Sequence, residues 1–246
     1  MVFIYDNVDP VIFNKIIKTI QMDKTFINVI TKSGSTAETV ASFMVLWEIM
    51  HKIIGNGTKE HFVITTDPEK GNLKKIAQKN KLTCLSIPPE IVGRYSVLSP
   101  VGILLTEIIG INSEEILKGA LDIREKIMIE ENIWKNPALL MSCILYIYAT
   151  EYNKIINVII PYSDRLKAFS EWFCQIWAES LGKQGKGFTP YPSVGVTDQH
   201  SQLQLWIDGP KDKIIIFVKI EEYEEDIKIP FVFEERQELN YLAGHT

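Results

Sequence analysis

Short apolar runs rich in β-branched residues recur along this chain, and helical segments separate them. The runs are "TFINVI" (25–30), "HFVITTDP" (61–68), "LTCLSIP" (82–88), "KIINVIIPYSD" (154–164) and "KIIIFVKI" (213–220). They are continuous rather than alternating, as expected of strands buried on both faces, which is the state of parallel sheets covered by helices. Between them lie helical periods. Val40, Phe43, Met44, Trp47, Met50 and Ile54 recur at threes and fours over 37–54, and Leu166, Phe169, Trp172, Phe173, Ile176 and Trp177 over 166–181. Gly182 follows as a stop. Further helices are predicted at 11–20, 71–80, 100–111, 113–128 (capped by Asn112 and Ser113) and 136–151, the last mostly buried. "VFIY" (2–5) is predicted as a short buried strand. Strands alternating with helices predict an α/β protein of doubly wound parallel sheets. Two such series are visible, the second beginning at 154, and in such sheets ligands sit beyond the carboxyl ends of strands.

The charge balance excludes some partners. A net charge of −5 argues against nucleic acid and against an anionic membrane surface. The longest apolar run, 97–111, contains Pro100 and Glu107 and is too short to span a bilayer. The start, "MVFIYDNVDP", lacks the basic region of a signal peptide. Three cysteines, widely spaced, read as reduced thiols and predict a cytoplasmic protein. The four histidines show no ligand spacing, so no metal site is predicted. The tail 221–246 is acidic and weakly patterned, and its "EEYEED" reads as a solvated loop.

The stretch "TKSGSTAET" (31–39) follows one of the strands and opens the 37–54 helix. Two readings stand side by side. Ser35 and Glu38 fit a capping box. Thr31, Lys32, Ser33, Ser35 and Thr36 also fit an anion cradle, in which a glycine-containing turn and a helix N-terminus offer N–H groups, hydroxyls and one ammonium to a phosphate.

Three further stretches lie downstream: "GRYSVLSPVG" (93–102), "WAESLGKQGKG" (177–187) and "GVTDQHSQLQLWIDGP" (195–210). Together with "TKSGSTAET" they resemble the glucose-6-phosphate isomerase family, in the family's order and nearly end to end. The "TDQHSQLQL" version is similar to a bacterial subgroup that includes the isomerase half of transaldolase–isomerase fusions. The resemblance implies two sugar-isomerase (SIS) domains, 1–118 and 119–246. It implies interconversion of glucose 6-phosphate and fructose 6-phosphate without metal or organic cofactor. The substrate phosphate would lie on Thr31, Lys32, Ser33, Ser35 and Thr36, with Arg94, Glu179 and His200 as the catalytic set. A homodimer is also implied, His200 reaching the neighbouring site.

The implied chemistry suits those residue types. Moving a proton between C2 and C1 through an enediolate needs a base that both takes and returns it. Glu179 would serve, placed in the last turn of its helix just before Gly182. Arg94 offers a permanent positive charge for the enediolate. An imidazole such as His200, in a polar turn and supported by Asp198 and Gln199, passes protons to and from a ring oxygen near neutral pH. Against these stand plainer readings: a surface glutamate, a loop-fixing arginine and a hydrogen-bonded loop histidine.

The resemblance also leaves segments unmatched. The family's N-terminal Gly-x-Gly-Gly-Ser stretch and a C-terminal catalytic lysine have no counterpart here, and neither Lys183 nor Lys186 matches that lysine. Both sheets are therefore expected to be incomplete, the chain a fragment that associates with a complementary segment. A non-catalytic sugar-phosphate-binding SIS fragment is the alternative reading, and a decayed remnant a third.

Overall fold

The computed structural model describes residues 1–233 and 235–245. The chain divides into two compact units, Met1–Leu139 and Leu140–Thr246.

The first unit is built on three parallel strands, β1 (Ile27–Thr31), β2 (Phe62–Thr66) and β3 (Thr83–Ser86), in the order β1-β2-β3. β2 is central, and all five of its residues are buried. Its helices include α1 (Pro10–Thr19), α2 (Ala37–Ile54) and α3 (Asn72–Asn80). Phe62 of β2 packs edge-on to Phe43 and beside Trp47, both on α2, with ring centroids 5.4 Å away in each case. Val29, Met50, Ile64, Leu73 and Ala77 complete this core. The expected α2 stripe is present except at Met44, which is 61% exposed. Positions 40, 43, 47, 50 and 54 already fill the sheet-facing sector, and Met44 lies off its edge.

The strand expected at 2–5 does not form, and Val2, Phe3 and Ile4 are exposed. Tyr5 instead stacks on Phe13 of α1 at 4.6 Å, and its hydroxyl donates to the Asp9 carbonyl. Asp9 caps α1 by accepting from the N–H groups of Val11 and Ile12. An apolar run becomes a strand only beside a pairing partner; here local packing on α1 takes its place.

Two helices follow, α4 (Pro100–Ile109) and α5 (Ser113–Ile129). Asn112 caps α5 as expected, accepting from Glu114 and Glu115 N–H. The buried Asn136 closes α5 and opens α6 (Pro137–Glu151): its amide donates to the carbonyls of Ile127 and Glu130, and its oxygen accepts from Ala138 and Leu139 N–H. α6 is not mostly buried as expected. Leu145 and Ala149 are its buried residues, whereas Leu139, Ile144, Tyr146 and Ile147 are exposed. Its apolar residues surround the helix, so no single contact face can cover them.

The second unit has β4 (Ile156–Pro161) between β5 (Thr189–Pro192) and β6 (Lys213–Val218), all parallel. The strand order therefore reverses at β4. α7 (Lys167–Leu181) packs on β4 and β5, and α8 (Thr197–Asp208) precedes β6. β5 and α8 were not expected. β5 reads "TPYP", and prolines are tolerated there because β5 is an edge strand. The N–H groups of Thr189 and Ser193 point to β4, bonding the carbonyls of Ile155 and Ile159, so the intervening Pro190 and Pro192 face outward. The two units are thus α/β, each a three-stranded parallel sheet flanked by helices.

Candidate active site

The polar loops after β1, β2 and β3 of the first unit carry most of the candidate residues. Thr31 ends β1, and Thr36 is the residue before α2. Their hydroxyls meet at 2.7 Å, and Ser33 Oγ lies 3.4 Å from Thr31 Oγ1 and 3.3 Å from Thr36 Oγ1. Ser33 Oγ also accepts from the Ser35 N–H at 3.2 Å. Three of the four hydroxyls expected on a phosphate are therefore clustered at the N-terminus of an 18-residue helix, where the dipole favours an anion.

The capping box does not form. Thr36, not Ser35, is the N-cap, and it makes no side-chain cap bond because its hydroxyl turns to Thr31. Ser35 Oγ instead lies 3.5 Å from the N–H of Asn72, at the start of α3.

The loop is supported from below. Thr66, buried at the end of β2, donates to the Thr31 carbonyl at 2.7 Å. Leu73 N–H reaches the Gly34 carbonyl at 2.9 Å. Gly71 is needed here: a Cβ would come within 2.4 Å of the Ser33 carbonyl oxygen, and its φ of +92° is strained for other residues. The sequence signal for this support is the turn "TDPEKG" (66–71), where a strand ends and the next helix begins.

Lys32 lies apart from the hydroxyl cluster. Its Nζ donates to the Pro88 carbonyl at 2.6 Å and lies 3.8 Å from Asp67 Oδ2. Bonds from the Glu69 and Lys70 N–H groups hold the Asp67 carboxyl below the usual aspartate range, and the Lys32 charge adds to this. Arg94 lies in the short helical turn Gly93–Leu98 after β3, half-buried, its guanidinium 4.9 Å from the ring of Tyr95. Ser96 and Ser99 brace that turn, their hydroxyls donating to the carbonyls of Gly93 and Ser96 at 2.6 Å each.

In the second unit, Glu179 lies exposed in the last turn of α7 and accepts from Gln175 Nε2 at 3.0 Å. α7 stops at Gly182, whose N–H bonds the Ala178 carbonyl. The following loop is held to the helix by Trp177 Nε1, which donates to the Phe188 carbonyl at 2.9 Å.

His200 is not in a turn. It stands in the first turns of α8, exposed, beside an open hollow of about 440 Å³ lined also by Val196, Gln199, Leu203, Gln204 and Ile207. The start of α8 is fixed by two bonds. Asp198 accepts from Val194 N–H at 2.6 Å, and Tyr162, just beyond β4, donates its hydroxyl to Gln199 Oε1 at 2.7 Å. Tyr162 went unnoticed in the sequence. Its ring lies against Gly195, where any Cβ would come within 2.9 Å of it.

The sequence family described as phosphoglucose isomerase matches residues 1–215. The chain is 44% identical to the glucose-6-phosphate isomerase of Rubrobacter xylanophilus over 242 residues, covering 98% of this chain and 56% of that protein. It is 42% identical to the glucose-6-phosphate isomerase of Carboxydothermus hydrogenoformans, covering 99% of this chain and 54% of that protein. The crystal structure of a hypothetical protein from Thermus thermophilus superposes with a TM-score of 0.90 at 35% identity, covering 97% of this chain and 57% of that one. The crystal structure of a glucose-6-phosphate isomerase from Chlamydia trachomatis gives 0.78 at 25% identity, covering 92% of this chain and 45% of that one. The chain therefore spans about half the length of the curated relatives it matches.

Proposed function

This chain belongs to the phosphoglucose isomerase family, and from that premise we propose that it carries the sugar-phosphate site of an aldose–ketose isomerase. The reaction is the interconversion of glucose 6-phosphate and fructose 6-phosphate. The observation that carries this reading is the hydroxyl cluster of Thr31, Ser33 and Thr36 at the start of α2. These hydroxyls satisfy one another; a bound phosphate would replace those bonds with charge-assisted ones, which are stronger. Ser35 is the fourth hydroxyl of the set. Lys32, the remaining residue of the set, directs its ammonium to the Pro88 carbonyl rather than to the hydroxyls.

The chemistry divides among three side chains. Glu179 removes the proton from C2 of the open-chain aldose and returns it to C1, while the hydroxyl proton passes from O2 to O1. Arg94 stabilises the enediolate formed between those steps, a contribution whose loss typically costs about 10²–10³ in rate. His200 moves the proton that opens and closes the sugar ring, with Asp198 and Gln199 fixing the start of its helix. The domain division at 118/119, the homodimer, the complementary segment and a cytoplasmic location belong to the same proposal. Among the described residues, no helix is long and apolar enough to cross a membrane.

A second reading, a sugar-phosphate-binding module without turnover, is favoured by the contrast between the assembled hydroxyls of the 31–36 loop and the exposed Glu179 and His200. One experiment separates the two. Purified chain is given fructose 6-phosphate, and glucose 6-phosphate is followed with a coupled dehydrogenase, with Glu179→Gln as control. Turnover that disappears in the control supports the isomerase. Absent turnover with a raised melting temperature supports the binding module, and neither effect refutes both.

A further inference from the structure

Beyond phosphate contact, the position of Lys32 carries a different assignment. Adjacent strands lie about 4.8 Å apart. Lys32 follows β1, Asp67 follows β2, and Pro88 follows β3. The Lys32 side chain therefore runs across the carboxyl edge of the whole first sheet, past the Asp67 carboxylate at 3.8 Å, to the Pro88 carbonyl at 2.6 Å. Its stem and head are mostly enclosed, with 22% of the side chain exposed, against 16% for Asp67. Backbone bonds continue the same cross-strand line: Asp67 N–H to the Lys32 carbonyl at 3.3 Å, and Ile87 N–H to the Thr66 carbonyl at 2.9 Å.

The acceptor matters most. The Pro88 carbonyl also accepts from Ile91 N–H at 3.1 Å, closing the turn that leads directly into Gly93 and Arg94. One ammonium thus joins the hydroxyl loop to the turn from which the Arg94 segment starts.

We propose that Lys32 is a positioning residue that sets the spacing between the phosphate loop and the Arg94 segment. This rests on reading the 31–36 loop as the phosphate site. A lysine suits the task because its flexible stem reaches across the sheet and its head satisfies a carbonyl and a carboxylate together. If the distance between the two segments is set in this way, losing the ammonium loosens both segments at once. It harms a ligand that touches both more than one that touches the loop alone.

The test compares wild type, Lys32→Met and Lys32→Arg. Backbone hydrogen exchange of the unliganded chains is followed by mass spectrometry. In Lys32→Met, exchange should rise roughly tenfold at both 31–36 and 88–98, the scale of one lost charge-assisted hydrogen bond, and Lys32→Arg should restore most of the protection. A rise confined to 31–36 overturns the proposal. If Lys32→Met does not fold, Asp67→Asn serves, and a smaller joint rise in both segments is expected; no rise at 88–98 overturns it. Affinity is then measured for inorganic phosphate and for fructose 6-phosphate. Lys32→Met should keep phosphate affinity within about twofold of wild type and lose about tenfold or more for the sugar phosphate. Equal losses for both ligands would make Lys32 a direct phosphate ligand and overturn the proposal. A wild type that binds neither ligand would refute the phosphate reading of the loop, while the exchange measurement would still decide whether Lys32 joins the two segments.

Discussion

At the scale of single residues, the hydroxyls of the loop after β1 hold one another, Thr31 and Thr36 bonding at 2.7 Å and Ser33 lying within 3.4 Å of both. Replacing Ser33 and Thr36 together with alanine should weaken fructose 6-phosphate binding by about tenfold or more, as two hydrogen bonds to a charged group are lost. Calorimetry or a thermal-shift titration reads this, and unchanged affinity would remove both hydroxyls from the site. The support beneath the loop, Thr66 and Gly71, was invisible because it comes from the next βα turn. Asp67 adds a pH signature. Its carboxyl titrates below the usual range in the folded chain, so its contribution is present above the ordinary aspartate pKa of about 3.9 and lost as pH falls below it. Wild type should therefore lose more stability than Asp67→Asn between about pH 5 and pH 3. Parallel denaturant titrations at the two pH values check this, and identical losses would contradict it.

At the scale of elements, continuous β-branched runs identified five of the six strands, and periodicity found the main helices. The failures have separate causes. β5 was masked by its two prolines, which sit on the free edge where no ladder donor is needed. α8 begins with the polar "TDQH", which reads as a turn until Tyr162 and Asp198 pin it. The run at 2–5 has strand composition but no strand beside it among the described residues. One repeated detail bears on stability. β1 and β4 share the tetrapeptide Ile-Asn-Val-Ile. In β1, Asn28 accepts from Thr65 at 2.8 Å. In β4, the buried Asn157 amide has no partner among the described residues. An unpaired buried polar group costs about 1–3 kcal/mol, so Asn157→Val should stabilise the chain by about 1 kcal/mol. Asn28→Val should be neutral or destabilising by a similar amount. Urea midpoints compare them; a destabilising Asn157→Val would mean that its amide is satisfied.

At the scale of the whole molecule, the α/β class and its two βα series were readable from the alternation alone, whereas burial was not. An apolar helix such as α6 looks internal in sequence, yet Tyr146 is 63% exposed and Ile147 48%. Exposed apolar surface of this kind promotes association. Sedimentation should show self-association that grows with concentration, and Ile147→Glu should reduce it without lowering the melting temperature. Association that is indifferent to the substitution would place the contact elsewhere. The second sheet also has a built-in direction of growth. On its β5 side the outward prolines offer carbonyls but no N–H groups, so that rim is a poor template for another strand. β6 on the opposite side lacks prolines, and Phe217 stands exposed on it. Any strand added to this sheet, from the same polypeptide or another, is steered to the β6 rim, and recruitment at the other rim is chemically discouraged.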